Sequence, residues 1–221
     1  MVRRLLLAGV VVLGLAACGS GSGSGAGSTA SGPTVAPAPS GKCLVRLHGK
    51  GATGAPSTKS GDVTVIAPTG NADGWGAKQW LYFPADQYDA ARAVVATAVE
   101  SCDQIIVDGF SNGASFAASL YCHGETFGGR LVRVVVDDPV TDHAADACAP
   151  GAGVAVTLYA TGALEKTAPP GWKCASADWT CEGGETIGID AYAAKLGAPR
   201  QQSPHTDHQP YLDAPETTQW R

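Results

Sequence analysis

Residues 104–113 read QIIVDGFSNG, and this stretch decides how the chain folds. Its first five residues contain a short aliphatic run, Ile105 to Val107, that is typical of a buried β-strand, and the small residues that follow Ser111 favour a helix. Gly109 and Gly113 flank Ser111 and lack the Cβ atoms that would clash in a sharp turn. The stretch therefore predicts a strand, a tight turn with Ser111 at its tip, and a helix.

Strands and helices alternate along the rest of the chain. Residues 91–99 carry apolar side chains at helical spacing, and residues 187–196 favour another helix. Further aliphatic runs predict strands at residues 43–47, 63–67, 131–136 and 154–159. This order predicts a single α/β domain with a mostly parallel central sheet flanked by helices, and ligands at the carboxyl ends of its strands.

The N-terminus favours export. Arg3 and Arg4 precede an apolar run at residues 5–17, which is too short to span a bilayer comfortably and is typical of a signal peptide. The run ends in LAAC at residues 15–18, which resembles the bacterial lipobox, whose Cys is acylated with diacylglycerol. We therefore predict a signal peptide at residues 1–17 and a lipid anchor on Cys18 at the outer face of the cell membrane. The alternative is an ordinary secretory cleavage site with a coincidental Cys.

Composition separates a tether from the domain. Residues 18–41 are rich in Gly, Ser and Pro and predict a flexible tether, so the folded domain spans residues 42–221. The chain has 15 Lys and Arg against 20 Asp and Glu. Loss of Arg3 and Arg4 leaves the mature chain at a net charge of −7, which argues against a nucleic-acid partner. We expect a monomer.

Six cysteines remain besides Cys18, and an even number in an exported chain favours three disulfides. Cys174 and Cys181 are close enough in sequence to close one short loop. The sequence leaves open how the other four pair, namely Cys43, Cys102, Cys122 and Cys148. No CxxC pair or His/Cys cluster has the spacing of a zinc site, so we expect no metal and no cofactor.

Residues 109–113 match G-x-S-x-G in the strand-to-helix context that gives this pattern its meaning. The Asn112 N–H, at the start of the predicted helix, would help to stabilise an oxyanion. The other interpretation is a glycine-rich turn with an inert Ser. With this motif the chain resembles the α/β-hydrolase family over residues 42–221, without a large lid. The resemblance implies that Ser111 is a nucleophile.

Two further segments carry the resemblance. LHGKG at residues 47–51 looks like the family's HG loop, which implies a second oxyanion donor at Gly49 or Lys50 and a structural role for His48. The family order of Ser, acid and His implies a base near the C-terminus. HQPY at residues 208–211 is similar to the H-x-x-Y of cutinases and favours His208, with His205 as the alternative.

Four carboxylates follow predicted strands and compete for the role of the acid, which orients the base. They are Asp137, Asp138, Glu165 and Asp178. CASADWTC at residues 174–181 looks like the disulfide-closed loop that carries the catalytic Asp in cutinases. This likeness implies Asp178 as the acid and a Cys174–Cys181 disulfide, with Glu165 and Asp138 as alternatives.

The predicted activity is hydrolysis of carboxylic esters through an acyl-enzyme on Ser111, with the acyl chain of the substrate unknown. A peptidase or amidase would use the same residues, and a surface lipoprotein without catalysis is the alternative from another class. The aromatic residues at 75–83 either bind an acyl or aryl group or pack their own loop. No long insertion precedes His208, which favours an open cleft for short or medium acyl esters or a polymer surface.

Overall fold

The computed structural model describes residues 41–173 and 184–221. In chain order, the strands of this part are β1 (Lys42–Leu47), β2 (Ala55–Ser60), β3 (Val63–Ala67), β4 (Ala72–Gly74), β5 (Ala77–Gln79), β6 (Gln104–Phe110), β7 (Leu131–Asp137), β8 (Ala155–Ala160) and β9 (Arg200–Gln202). Its α-helices are α1 (Ala85–Ala98), α2 (Asn112–Cys122), α3 (Ala163–Thr167), α4 (Ile189–Leu196) and α5 (Pro215–Thr218). A 3₁₀ helix covers His143–Ala145.

Within the described residues, a seven-stranded sheet has the strand order β2-β3-β1-β6-β7-β8-β9. All neighbouring strands pair in parallel except β2 and β3, which are antiparallel. Strand β6 is central, with Gly109 paired to Leu47 of β1 and Phe110 paired to Asp137 of β7. The prediction of a mostly parallel sheet is confirmed, and the ends of these three strands come together beside Ser111.

Each face of the sheet has its own apolar layer, because successive side chains of a strand point to opposite faces. On one face, Val45 and Val107 pack with Val95 of α1 and Phe116 of α2. On the other face, the residues next along the strands pack against the C-terminal segment of the chain. This second set includes Leu44, Ile106, Val135, Tyr159 and Ala214.

The elements that the sequence did not predict are short, and several are polar. Strand β2 reads APSTKS and is almost entirely exposed, and β9 reads RQQ with two exposed residues. Both lie at the edges of the sheet, where burial does not demand an aliphatic run. Hydrophobic pattern therefore identified the inner strands and not the edges.

Two disulfides settle the pairing that the sequence left open. Cys43 of β1 is bonded to Cys102, and Cys122 at the end of α2 is bonded to Cys148, across sequence separations of 59 and 26 residues. The predicted Cys174–Cys181 bond falls outside the described residues, as do the predicted signal peptide, Cys18 and the tether up to residue 40.

No helix in the described part of the chain is both long enough and apolar enough to span a membrane.

Candidate active site

Ser111 lies between the end of β6 and the first residue of α2. Its backbone has φ 55° and ψ −119°, and its N–H donates to the Asp137 carbonyl oxygen at 3.0 Å. A positive φ is unfavourable for a residue with a Cβ atom, and such strain concentrates at functional sites where the surrounding structure enforces it. The parallel β6–β7 pairing and the start of α2 together hold this turn.

The turn needs glycine on both sides of Ser111 because the backbone approaches too closely for any side chain. A Cβ atom on Gly109 would lie 2.2 Å from the Gly113 carbonyl oxygen, and one on Gly113 would lie 2.3 Å from the Leu47 carbonyl oxygen. Both glycines therefore let α2 start directly against β6 and β1. As a result, the Ser111 side chain lies at the carboxyl ends of the parallel strands.

A continuous chain of hydrogen bonds links Ser111 to a buried carboxylate. Ser111 Oγ lies 2.9 Å from His208 Nε2, and His208 Nδ1 lies 2.6 Å from Asp138 Oδ2. Because the carboxylate accepts, Nδ1 carries the imidazole hydrogen, and Nε2 is left to accept the hydrogen of the Ser111 hydroxyl. This geometry lets His208 take a proton from Ser111.

Asp138 is held in place by the strand next to its own. It follows β7 with φ 50°, and its side chain is only 3% exposed. Its Oδ1 accepts the Thr161 N–H at 3.0 Å, and its Oδ2 accepts the Thr161 hydroxyl at 2.9 Å. Thr161 directly follows β8, so the parallel β7–β8 pairing fixes the direction of the carboxylate.

The two adjacent aspartates at the end of β7 hold the loop of His208 at two points. Asp138 accepts the His208 ring N–H, while Asp137 Oδ2 accepts the backbone N–H of Tyr211 at 2.6 Å. The Phe110 ring packs against the His208 imidazole with their centroids 4.6 Å apart. The imidazole is therefore positioned from two strands, although it lies in a loop.

The sequence favoured Asp178 as the acid, whereas the structure places another carboxylate at His208. Asp178 lies outside the described residues, and Asp138, which the sequence kept as an alternative, accepts the single hydrogen on His208 Nδ1. Glu165, the other alternative, instead accepts the Ile189 N–H at the start of α4 at 2.9 Å. Within the described residues, Asp138 is therefore the carboxylate that meets His208, and Asp178 stays a prediction. The Asp-Asp pair that ends the hydrophobic strand β7 was the sequence feature that could have indicated it.

The two candidate bases have different surroundings. The His208 imidazole contacts Ser111, whereas the His205 ring meets Tyr211 edge-on with their centroids 6.0 Å apart. The His205 backbone N–H donates to Ser203 Oγ at 3.3 Å.

The HG loop comes close to the nucleophile. A Cβ atom on Gly49 would lie 3.2 Å from Ser111 Cβ. His48 Nε2 accepts the Gly70 N–H at 3.0 Å, so its Nδ1 carries the hydrogen that donates to the Gly49 carbonyl at 2.8 Å. Burial lowers the pKa of His48 and keeps the ring neutral. His48 thus holds the loop in shape, while Lys50 extends its ammonium to 5.1 Å from the Trp75 ring centroid.

Asn112 has a second contribution that the sequence did not reveal. Its side-chain Oδ1 accepts the Trp80 N–H at 2.7 Å, and its Nδ2 donates to the Trp80 carbonyl at 3.0 Å. Asn112 is the first residue of α2, so its backbone N–H has no hydrogen-bond acceptor within the helix. The side chain therefore anchors the loop after β5, and the N–H lies next to Ser111.

The aromatic residues at 75–83 differ in burial. Trp80 and Tyr82 are buried and stack on Phe116, with centroid distances of 5.0 and 6.0 Å, so these two rings are part of the core. Trp75 and Phe83 are 56% and 46% exposed.

Two further carboxylates are buried behind the turn. Burial raises the pKa of Asp137 to about 7; the hydrogen bond from Tyr211 opposes this shift, and nearby Asp108 and Asp138 increase it. Burial likewise raises the pKa of Asp108 to about 6, with Arg46 opposing the shift. Both groups therefore titrate close to neutral pH.

Stability is expected to fall as these carboxylates ionise. The pKa of Asp137 is about 3.9 in the unfolded chain and about 7 in the folded protein. Between about pH 4 and pH 7 the folded protein therefore binds more protons than the unfolded chain. Asp137→Asn keeps an acceptor for Tyr211 and removes this titration. Between about pH 5 and pH 8, wild type should lose about 2 to 3 kcal/mol more unfolding free energy than the variant in urea titrations.

Asp190→Asn is the matched control, because the Asp190 side chain is 84% exposed. It should show the wild-type pH dependence, and an Asp137→Asn variant with that same dependence would contradict the argument.

No protein-family model and no curated protein matches the chain. Among solved structures, a carboxylesterase from Bacillus cereus is similar at 18% sequence identity and a TM-score of 0.51, over 81% of this chain and 86% of that one. A carboxylesterase from Mesorhizobium loti is 18% identical with a TM-score of 0.48, over 81% of this chain and 87% of that one. Together with the sheet order, the B. cereus likeness shows that the chain has the α/β-hydrolase fold.

Proposed function

We propose that this chain is a serine hydrolase that cleaves carboxylic esters through an acyl-enzyme on Ser111. The observation that carries the proposal is the hydrogen-bond chain from Asp138 through His208 to Ser111, with distances of 2.6 and 2.9 Å. A buried acid, an oriented imidazole and a hydroxyl on a strained turn are the parts that nucleophilic catalysis by Ser requires.

The proposed reaction has two halves. His208 Nε2 takes the proton of Ser111 as Oγ attacks the ester carbonyl, and the imidazolium then gives this proton to the departing alcohol. Water then attacks the acyl carbon as His208 removes one of its protons. The bond from that carbon to Ser111 Oγ breaks, the imidazolium returns the proton to Oγ, and the acid leaves. Throughout, Asp138 holds the Nδ1–H and stabilises the imidazolium.

Backbone N–H groups beside Ser111 are the proposed oxyanion donors. One is the Asn112 N–H at the start of α2, and the other is the N–H of Gly49 or Lys50 in the HG loop. The close approach of Gly49 to Ser111 supports this second assignment. Each donor would stabilise the transition state by about 3 kcal/mol.

Esters are the proposed substrate class because the B. cereus protein that shares the fold is a carboxylesterase. A peptidase or amidase would use the same proton transfers, so hydrolysis of matched p-nitrophenyl ester and p-nitroanilide substrates separates the two activities. The complete hydrogen-bond chain argues against a binding lipoprotein that has lost catalysis.

We further infer that the protein is exported and is anchored to the membrane by a lipid on Cys18. Two disulfides support an oxidising compartment. The mass of the N-terminal peptide of protein from the membrane fraction tests the anchor, and an unmodified Cys18 there would contradict it.

A fluorophosphonate probe tests the nucleophile directly, because it reacts with Ser hydroxyls that a neighbouring base activates. We expect a single adduct on the peptide that contains Ser111, and none after heat denaturation. A native protein that stays unlabelled, or one labelled at another Ser, would overturn the proposal.

A further inference from the structure

The Thr161 side chain lies one hydrogen bond beyond the chain that links Asp138 to Ser111. Thr161 directly follows β8, and Asp138 directly follows the neighbouring strand β7. The Thr161 N–H donates to Asp138 Oδ1 at 3.0 Å, and the Thr161 hydroxyl donates to Oδ2 at 2.9 Å. One residue therefore supplies a hydrogen-bond donor to each oxygen of the carboxylate.

The two donors differ in what they contact besides Asp138. Oδ2 also accepts the His208 Nδ1–H at 2.6 Å, so the Thr161 hydroxyl and the imidazole share one carboxylate oxygen. The Thr161 N–H donates to the other oxygen and would remain with any residue except proline at this position. A substitution at Thr161 can therefore remove the hydroxyl beside His208 and keep the backbone bond.

Helix α3 fixes the direction of this hydroxyl. Thr161 Oγ1 accepts the N–H of Ala163, the first residue of α3, at 2.9 Å. With that donor on the oxygen, the hydroxyl gives its own hydrogen to Asp138, and hydrogen bonds in such a series polarise one another. The series runs from α3 through Thr161 and Asp138 to His208.

The hydroxyl acts on the carboxylate in two ways. Because one residue holds both oxygens, the Asp138 carboxylate cannot turn about its Cβ–Cγ bond without breaking a hydrogen bond. The hydroxyl also draws part of the negative charge of Oδ2 toward itself. Less of this charge then attracts a proton on His208.

We propose that Thr161 is a positioning residue of the candidate active site, and that its hydroxyl acts through Asp138 to set the orientation and the basicity of His208. This inference rests on the proposed function, in which His208 is the base. The hydroxyl keeps the imidazole aimed at Ser111 and keeps it in its neutral, proton-accepting form to lower pH.

Other titratable and charged side chains surround Asp138 and His208, and they are the same in every variant used below. His48 and Lys50 come from the HG loop, Asp137 from β7, Glu165 from α3, Arg200 from β9, and His205 and Asp207 from the loop of His208. A difference in pH dependence between these variants and wild type therefore originates at the substituted residue.

Thr161→Val removes the hydroxyl at nearly constant volume, and Thr161→Ser retains it. For p-nitrophenyl acetate, we expect Thr161→Val to lower kcat about tenfold with little change in KM, because the carboxylate is no longer held at both oxygens. The acidic limb of its pH profile of kcat/KM should move up by about half a pH unit. Thr161→Ser should restore both properties.

Three results would contradict the proposal. One is a Thr161→Val variant with the wild-type kcat and pH profile. Another is a lower kcat without the shift of the pH profile, which would show a structural role alone. The third is a Thr161→Ser variant that behaves like Thr161→Val, because the hydroxyl would then not be responsible.

Thr167→Val is the matched control. Thr167 lies in the same helix that Thr161 precedes, and its hydroxyl donates to the Leu164 carbonyl at 3.1 Å. This variant should keep the wild-type kcat and pH profile. If it reproduced the changes of Thr161→Val, those changes would come from α3 and the proposal would be wrong.

NMR titration of the His208 ring tests the same coupling without turnover. The midpoint should lie about half a pH unit higher in Thr161→Val than in wild type, with thermal unfolding to verify that both are folded. Equal midpoints would overturn the proposal in an active or an inactive protein. Wild-type protein that shows the expected NMR difference from the variant but hydrolyses no ester would instead refute the proposed function.

Discussion

Ser111→Ala is expected to lower kcat for p-nitrophenyl acetate by a factor of about 10⁴ or more, because it removes the oxygen that we propose attacks the carbonyl. The KM should change far less, since the hydroxyl contributes little to ground-state binding. Loss of one hydroxyl beside His208 also leaves the fold intact, because both flanking glycines and the Ser111 N–H bond to Asp137 are retained. Steady-state kinetics on protein of unchanged melting temperature measures the effect.

Ser57→Ala provides the matched control for this variant. Ser57 is exposed on the edge strand β2, which two strands separate from β6. We therefore expect Ser57→Ala to retain the wild-type kcat. If Ser111→Ala kept kcat within about tenfold of wild type, the acyl-enzyme mechanism would be wrong.

Asp138→Asn is expected to lower kcat by about 10⁴-fold while preserving the geometry of the site. The Asn side chain would turn either its N–H or its uncharged carbonyl oxygen toward His208 Nδ1. In the first arrangement the imidazole hydrogen moves to Nε2, which then cannot accept the Ser111 proton. In the second the imidazolium loses the adjacent negative charge that stabilises it.

The same substitution at Asp178 separates the structural assignment from the sequence prediction. If Asp138 is the acid, Asp138→Asn lowers kcat. The kcat of Asp178→Asn then stays close to that of the exposed control Asp190→Asn. A large loss in Asp178→Asn with near-normal rates in Asp138→Asn would return the role to Asp178. Kinetics for all three variants, with thermal unfolding to verify folding, decides between the two carboxylates.

Local chemistry made most of the fold predictable. Strand β6 contains an aliphatic run, a Cβ atom on Gly109 would lie 2.2 Å from the Gly113 carbonyl oxygen, and the apolar stripe of α1 is buried at Ala91 and Val95. Such features depend on neighbours in the chain or on burial of a single face, and both leave a pattern in the sequence.

Local chemistry does not predict which carboxylate meets His208. Several carboxylates follow strands, and residue type does not state which one ends within 2.6 Å of a ring that lies 70 residues further along the chain. A resemblance in one loop favoured Asp178, but the parallel β7–β8 pairing turns the Asp138 carboxylate toward Thr161 and His208. Only the arrangement of neighbouring strands carries that information.

The sequence by itself therefore determined the α/β class, the tight turn at Ser111 and the set of side chains with suitable chemistry near the ends of strands. The tertiary structure decided which carboxylate meets His208 and how Cys43, Cys102, Cys122 and Cys148 pair. The physical reason is range: backbone conformation and burial follow from nearby residues, whereas a hydrogen bond between distant residues requires the register and packing of the whole sheet.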